Sequence, residues 1–515
     1  AAGTGWLPAA RAEGSGFTVV REDGFPVAPG VYHRAMTLEG GGHIEAVNMM
    51  EIDPANPVIR LAVTSPKGKV VALDTVRNQA KLIDREGYRV VGAFNMDFYN
   101  TDPAFAGIPT GLQITDGELI TAPLSTRSAL AIMPDGSFAI KKNVAFSGTV
   151  AVADSGATRS LTGVNRARTG GSPANHFILY TDKFSDTTRS VGDGVEVVLA
   201  PAEPGDRLKP DKPIRAQVES IAETNNSPIP AGKFVLSATG ANADWVNANL
   251  APGTAVDIRV QLDNGLNGAQ HAVGGGVVLV ENGAATPEAL ADNVDRHPRT
   301  FVAAKAGKLY VVTFDGRQPT YSDGVTLAEG ALYLQSLGME TAINVDGGGS
   351  TTYAARVPGD VTISVLNRPS DGYERAVSNS LMVVSTAPVT ELYGLVPAPK
   401  GPVAVLAGSE IRFSAKGHDI SYNGVPVDPA SLVWEADPAI GTIAGDGRFV
   451  AASAPATGNV TVRSGSVFAQ VAVAVVDRIA RLTIAPPAAV VNPGSTQTFT
   501  AQAFDEAGNE VLLSP

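Results

Sequence analysis

Apolar and polar residues alternate along much of the chain with the period of two that half-buried strands require. The alternation starts near Val31 and continues through residues 43–52 and 58–63, while residues 1–30 show no clear period and are expected to be irregular. The period changes at residues 74–85, where Val76, Ala80, Leu82 and Ile83 supply one apolar face, Asp74 and Thr75 supply caps and Gly87 supplies a stop. A short apolar run at 89–94 predicts a buried strand that delivers Asn95-Met96-Asp97-Phe98-Tyr99-Asn100. From 101 to 285, short strand patterns are divided by turn signals such as Thr115-Asp116-Gly117 and Pro134-Asp135-Gly136. The Pro- and charge-rich stretch 201–213 is expected to be a surface excursion. A second helix is signalled by Thr326 with Glu329 three residues on, as in a capping box, by a stripe of Leu332, Leu334 and Leu337, and by Gly338 at its end. The strand pattern 341–345 follows and runs into Asp346-Gly347-Gly348-Gly349-Ser350.

The texture shifts near Ala387. From 387 to 477 the pattern is all-β, with turn signals every 8–12 residues and Trp434, as in a β-sandwich. A second unit starts at 478, and Gly494-Ser495-Thr496-Gln497-Thr498-Phe499 echoes Gly408-Ser409-Glu410-Ile411-Arg412-Phe413. A sandwich needs roughly 100 residues, so the unit 478–515 reads as truncated and the chain as a piece of a longer protein.

Length and composition agree with a strand-rich, multidomain chain. Its 515 residues suggest about two to four domains. The 55 glycines and 35 prolines supply many turns. A formal net charge of −12, with no basic run, argues against a nucleic-acid partner and a polybasic membrane anchor. The absence of cysteine excludes disulfides, zinc–thiolate sites and a cysteine nucleophile. No stretch of about 18 apolar residues predicts a transmembrane segment. The opening Ala1-Ala2-Gly3-Thr4-Gly5 resembles a trimmed signal-peptide end or an expression boundary.

Three acidic, glycine-adjacent segments carry candidate chemistry: Asn95-x-Asp97-Phe98, Asp315-Gly316-Arg317-Gln318-Pro319, and Asn344-x-Asp346-Gly347-Gly348-Gly349-Ser350. Each follows an apolar strand pattern, and strand ends can hold groups in fixed geometry. A triple glycine lets backbone approach a ligand and present N–H groups to an anion, although a lone one is more often a tight turn. The run lacks dinucleotide and P-loop spacing. Arg127, Arg299 and Arg317 are candidate phosphate binders because a guanidinium grips phosphate oxygens in bidentate fashion. His297 is a candidate acid or base, with a structural role as the alternative. Ser350 lacks a nucleophile elbow, so its hydroxyl is assigned to ligand or loop binding. The Asp and Asn clusters leave Ca²⁺ or Mg²⁺ open without EF-hand spacing, and no cofactor is assigned.

Taken in order, these segments resemble the phosphodiester glycosidase family. The resemblance rests on Gly92-Ala93-Phe94-Asn95-Met96-Asp97-Phe98-Tyr99, Gly107-Ile108-Pro109-x-Gly111, the stretch 272–283, Arg296-His297-Pro298-Arg299-Thr300, the stretch 311–352 and Asn367-Arg368-Pro369-Ser370-Asp371-Gly372-x-Glu374-Arg375. It covers about residues 28–385. Val277 stands where the family often has Pro. Residues 387–515 resemble bacterial Ig-like repeats.

The resemblance implies hydrolysis at the anomeric carbon of a sugar-1-phosphodiester in a glycan or cell-surface polysaccharide. Asp97, Asp315 and Asp346 would serve as nucleophile, base or metal ligand, and Glu374 and His297 as acids. Arg127, Arg299, Arg317 and the Gly347, Gly348 and Gly349 amides would bind phosphate, with Asn95, Asn344 and Ser350 as further substrate-binding residues. Hydrolysis of a non-phosphorylated polysaccharide glycoside at the same site and a non-catalytic glycan-binding surface protein are the alternatives. The expected fold class is α+β, with an N-terminal extension at 1–27, a strand-rich catalytic domain with a few helices at 28–385, an Ig-like sandwich at 387–477 and a truncated repeat at 478–515. The expected setting is bacterial and extracellular or cell-surface, with a carbohydrate or phosphoglycan substrate and a cell-wall association.

Overall fold

The computed structural model describes residues 16–125, 127–169, 175–485, 491, 494, 496–506 and 510–514. The expected trimmed end at Ala1–Gly5, residues 1–15 of the expected extension, and parts of the second repeat, including Ser495, lie outside the described residues. Contacts divide the chain into one unit formed by residues up to 356 together with 362–387, and another formed by 357–361 together with 388–515.

The first unit is built on four sheets. Its eight-stranded sheet runs Thr18–Ala28, Val31–Gly40, His43–Ile52, Lys308–Phe314, Arg299–Lys305, Thr341–Asn344, Val278–Glu281 and Ala284–Ala285 from edge to edge. The expected irregular N-terminus is therefore a strand from Thr18: its residues pair antiparallel with 31–39 through Gly30, which turns with φ +77°. A five-stranded sheet centres on Arg89–Asn95, flanked by Tyr353–Ala355 and Ser380–Ser385. A second one places His271–Gly274 against Arg127–Ile132. One core joins these three sheets: Met50, Val311 and Ile343 from the first, Leu61 and Phe94 from the second, and Leu130 and Val273 from the third. Another eight-stranded sheet, Thr158–Ser160 to Gly163–Val164 in spatial order, shares a second large core with the sheet of His271–Gly274, through Ala129, Ala131 and Ala272.

The α+β expectation is overturned. Among the described residues there are 39 strands, whereas the α-helices are only Val76–Lys81, Ala241–Asn249, Pro287–Ala291 and Leu327–Ser336. The protein is mostly β, because these short helices lie on sheet faces and build no layer of their own. Leu327–Ser336 has the expected capping box between Thr326 and Glu329. Its buried face is Leu327, Ala328, Gly330, Ala331, Tyr333 and Leu334, so the expected stripe is displaced: Leu332 and Leu337 are only partly buried. Gly330 has no side chain because a Cβ there would meet the Phe301 ring at 2.5 Å. Val76–Lys81 is shorter than its expected span; Thr75 caps it by accepting from Asn78 N, and Leu82 beyond it is exposed.

The second unit is all-β, as Ig-like repeats are, but its strand order does not establish an Ig-like topology. Its seven-stranded sheet includes Val403–Leu406 pairing in parallel with both Val467–Val476 and Glu510–Leu512. Its core gathers Phe413, Trp434 and Phe449, with the Phe413 and Phe449 rings edge to face.

A buried ionic knot ties the first unit's large sheet to its helix. Glu45 is fully buried and accepts from Arg296 Nη2 (2.7 Å), Ser322 Oγ (3.0 Å) and Gly324 N (2.7 Å). Arg296 also donates to Glu329, the capping-box residue. Burial alone raises the Glu45 carboxyl, and the Arg296 hydrogen bond opposes the rise. Removing one member of a buried pair strands the other charge. Arg296→Met should therefore destabilise the unit by about 3–5 kcal/mol, with a Glu45→Gln/Arg296→Met double variant recovering part of the loss, as read by urea unfolding.

Candidate active site

Antiparallel pairing brings several strand ends to one rim. Arg299 lies opposite Phe314, Phe301 opposite Asn344, and Gly274 opposite Ala129. Asn95 ends the central strand of its sheet and is fully buried. Its Nδ2 donates to the Asp346 carbonyl at 2.7 Å, and its Oδ1 accepts from Thr300 Oγ1 (3.0 Å) and Thr352 N (2.9 Å). One amide thus ties two sheets to the glycine-rich loop. Asn95 acts as a buried anchor.

Two residues on, Asp97 is 1% exposed. Its backbone N–H donates to Asn379 Oδ1 (2.9 Å), and its Oδ2 accepts from Gly111 N (2.6 Å), while Oδ1 has no hydrogen-bond partner. Burial pushes the carboxyl up to about 7; the Gly111 N–H, Arg127 and Arg166 oppose this and Asp346 adds to it. Glycine is required around it: a Cβ on Gly274 would come within 2.5 Å of Asp97 Oδ2 and 2.7 Å of Gly111 Cα. Arg127 donates from Nε to the Gly275 carbonyl (3.1 Å) and lies over the Phe98 ring at 5.3 Å.

The Asp346 loop sits beside this carboxyl. Asp346 N donates to the Met96 carbonyl at 2.8 Å. Burial pushes the Asp346 side chain up to about 6, yet the residue is only half-buried and thus reachable. Ser350 is close enough to Asp346 and Tyr99 to oppose their upward shifts, but its hydroxyl makes no hydrogen bond of ordinary geometry. Gly348, with φ +61°, lies beneath the Arg317 guanidinium, whose nitrogens a Cβ would meet at 3.3 Å. Arg317 Nη2 lies 3.1 Å from His297 Nδ1. Burial lowers the His297 ring, and Arg317 and Arg299 lower it further. A ring kept neutral in this way can accept from Arg317 but is poorly suited to supplying a proton. Burial also lowers Arg299, followed by the opposing effects of nearby aspartates and Arg317; its Nε and Nη2 donate to the Val325 and Asp295 carbonyls, both at 3.2 Å.

Other expected site residues are committed elsewhere. The Glu374 carboxylate accepts from Arg77 N (2.9 Å) and Arg77 Nε (2.7 Å), at the start of helix Val76–Lys81, so it is tied down instead of being poised as an acid. Asp315 is 1% exposed and accepts from Asn367 Nδ2 (2.9 Å), Tyr321 OH (3.0 Å) and Arg368 N (2.8 Å), which makes it an anchor for the 367–368 turn. The Gly347 amide donates to Asp346 Oδ1 (2.9 Å) and the Gly348 amide to the Pro298 carbonyl (2.8 Å), so neither is free for a phosphate. Gly349 instead makes room: a Cβ there would land on the Arg375–Asp371 ion pair. Among the described residues, no group of three or more His, Asp or Glu side chains gathers to hold a metal ion.

Buried polar atoms without partners concentrate here: Asp97 Oδ1, Asn344 Oδ1, Ser350 Oγ and Thr351 Oγ1. Such atoms are uncommon in folded proteins and mark sites awaiting a ligand or water. Of these residues Asn344 lines a cavity of about 290 Å³, together with Phe98, Arg127 and Gly276 among others. Roomier cavities of about 520 and 530 Å³ lie at the opposite strand ends, near Pro54 and Asp135. Of the candidate residues, Arg127 and Asn344 line the smaller one and none lines the other two, so the smaller one is the better candidate. Sequence reasoning missed Arg166, Tyr99, Asn379 and Arg375. Of these, Tyr99 and Arg375 end two of the motifs that carry the resemblance, Arg375 directly after Glu374.

Residues 213–384 match the phosphodiester glycosidase family. The matched segment holds His297, Arg299, Asp315, Arg317, Glu374 and the 344–350 run, whereas Asn95, Asp97 and Arg127 precede it. No curated protein matches the chain. Two solved structures share the fold: a Burkholderia pseudomallei protein described as exported (20% identity, TM-score 0.58, covering 72% of this chain and 97% of the other) and a hypothetical protein from Synechocystis (19%, 0.57, 71% and 64%). The zebrafish N-acetylglucosamine-1-phosphodiester α-N-acetylglucosaminidase catalytic domain aligns at 15% identity and TM-score 0.35, over 70% of this chain and 87% of that one.

Two glycines at this candidate site separate packing from function. In Gly349→Ala the obstructing atoms are the far ends of partly exposed side chains, so Tm should change little while turnover falls on the order of 10–100-fold through the displaced Arg375. In Gly274→Ala the obstruction includes Gly111 backbone, so stability should also fall by about 1–3 kcal/mol. Thermal unfolding and initial rates of both variants check this.

Proposed function

We propose that the protein hydrolyses a sugar-1-phosphodiester, with Asp346 as the carboxylate that meets the anomeric carbon. The observation that carries this reading is the placement of a partly buried Asp346, raised to about 6, beside a fully buried Asp97, raised to about 7, with Arg127 and Arg166 near Asp97 and Arg375 near Asp346. Two raised carboxyls side by side can share the work of a carboxylate and an acid. Asp346 is the more accessible of the two and, once ionised, can stabilise the positive charge that develops at the sugar carbon. Asp97 lies buried behind it, with Oδ1 unengaged. Arg317 and Arg299 stand on the same loop side, and their guanidiniums suit the charge of a departing phosphate better than the committed Gly347 and Gly348 amides do. Phosphate is a good leaving group, so the site has little need of a strong acid; this agrees with a neutral His297 and a tethered Glu374. Carbohydrate is the substrate class that the matched family supports.

We further read the protein as exported. The exported description of a protein of the same fold supports this.

Asp346→Asn should lower turnover of a sugar-1-phosphodiester by roughly 10²–10⁴-fold with unchanged circular dichroism. Near-normal turnover removes Asp346 from the chemistry. Preference for p-nitrophenyl glycosides over sugar-1-phosphodiesters would replace the phosphodiester reading with a plain glycosidase.

The pH dependence follows from the same carboxyls. A carboxyl raised in the folded state binds more protons there than in the unfolded chain between about pH 4 and its folded value. Stability therefore declines as pH rises through this window, and levels off above about 7, the Asp97 value. Each such group contributes a slope approaching about 1.4 kcal/mol per pH unit. Asp97→Asn should flatten the slope and raise Tm at pH 8 relative to the parent protein while lowering turnover. Parallel Tm–pH curves for the two proteins would contradict a raised Asp97.

A further inference from the structure

Arg166 follows the two-residue strand Gly163–Val164 and is 6% exposed. Among the described residues its guanidinium forms no ion pair. It is instead surrounded by backbone carbonyls: Nη1 donates to that of Pro109, and Nη2 to those of Thr110 (3.4 Å), Gly111 (2.7 Å) and Ala122. The Tyr180 hydroxyl fixes the backbone beneath it by donating to the Arg166 carbonyl at 2.8 Å. These bonds close around the turn that touches Asp97. The peptide unit between Thr110 and Gly111 turns its C=O to Arg166 and its N–H to Asp97 Oδ2 at 2.6 Å. A cation on the oxygen of a peptide unit strengthens donation from its nitrogen. The charged groups that act on Asp97 are Arg127, Arg166 and Asp346; Asp97 is the charged group that acts on Arg166. Burial lowers Arg166 only to about 10, so it stays charged at neutral pH.

We propose that Arg166 is a positioning residue for the Asp97–Asp346 pair: it grips the 109–111 turn so that the Gly111 N–H pins Asp97. This deepens the reading of Asp97 and Asp346 as the reacting pair and rests on it for its effect on rate. The coupling of Arg166 to Asp97 does not itself depend on that reading. A buried, fully charged guanidinium that meets only carbonyls is costly, and ionisation of the adjacent Asp97 offsets part of that cost.

The test is a pH titration of the Asp97 carboxyl by infrared difference spectroscopy, with Asp97→Asn as the blank, in the parent protein, Arg166→Gln and Arg166→Lys. Loss of the cation in Arg166→Gln should move the midpoint up by roughly one pH unit. Arg166→Lys, which keeps the charge but loses the fork, should leave the midpoint within a few tenths. The same Lys variant should lower kcat on the order of 10-fold at unchanged KM. An Arg166→Gln midpoint equal to that of the parent protein overturns the proposal, as does the absence of an Asp97 band between about pH 5 and 9, the range set by a shift of this size. If Arg166→Gln does not fold, Arg166→Lys carries the test alone, and an unchanged kcat overturns the proposal. If no sugar phosphodiester is hydrolysed but the midpoint shifts as stated, the proposed function fails while the Arg166–Asp97 coupling stands.

Discussion

The side chain of Asn95 is the joint on which the site depends. Its three hydrogen bonds, to the Asp346 carbonyl, Thr300 and Thr352, are made in a fully buried position where an unmade bond would cost about 1–3 kcal/mol. They hold the end of one sheet against the end of another. The register of the large sheet then sets Arg299 opposite Phe314 and Phe301 opposite Asn344, so the arginine-bearing turn and the glycine loop arrive together. Without that joint, Asp97 and Asp346 would belong to separate strand ends with no reason to meet.

Glycine makes the next level of closeness possible. Gly111 and Gly274 pack Cα to Cα where any side chain would strike Asp97, and Gly349 leaves space that the Arg375–Asp371 pair fills. The resulting site is strained electrostatically more than sterically: two carboxyls are raised by burial, and arginines sit near one another around a neutral histidine. An anionic substrate would relieve both conditions, because it brings negative charge to the guanidiniums and engages polar atoms that now have no partner.

Much of this was legible where the signal was local. The Thr326–Glu329 capping box, the strand before Asn95 and the Asn344–Ser350 run all lie within a few residues of the features they specify. Distant partners were not legible. Glu374 is bound by Arg77, 297 positions away, and Asp315 is bound by Asn367, 52 positions away, so both looked available when read alone. Arg166 lies in Asn165-Arg166-Ala167-Arg168, which reads as an ordinary polar turn; only the fold reveals that it is buried against the 109–111 turn. The fold class was misjudged for a related reason. Two well-signalled helices drew attention, although their lengths of 6 and 10 residues leave them as attachments to a protein that is mostly β.

The most direct measurement is a crystal structure with a non-hydrolysable sugar-1-phosphonate. The account predicts phosphonate oxygens within hydrogen-bonding distance of Arg317 and Arg299, and Asp346 as the carboxylate nearest the anomeric carbon. A phosphonate bound at the opposite strand ends, near Pro54 and Asp135, or an anomeric carbon facing neither Asp346 nor Asp97, would contradict it.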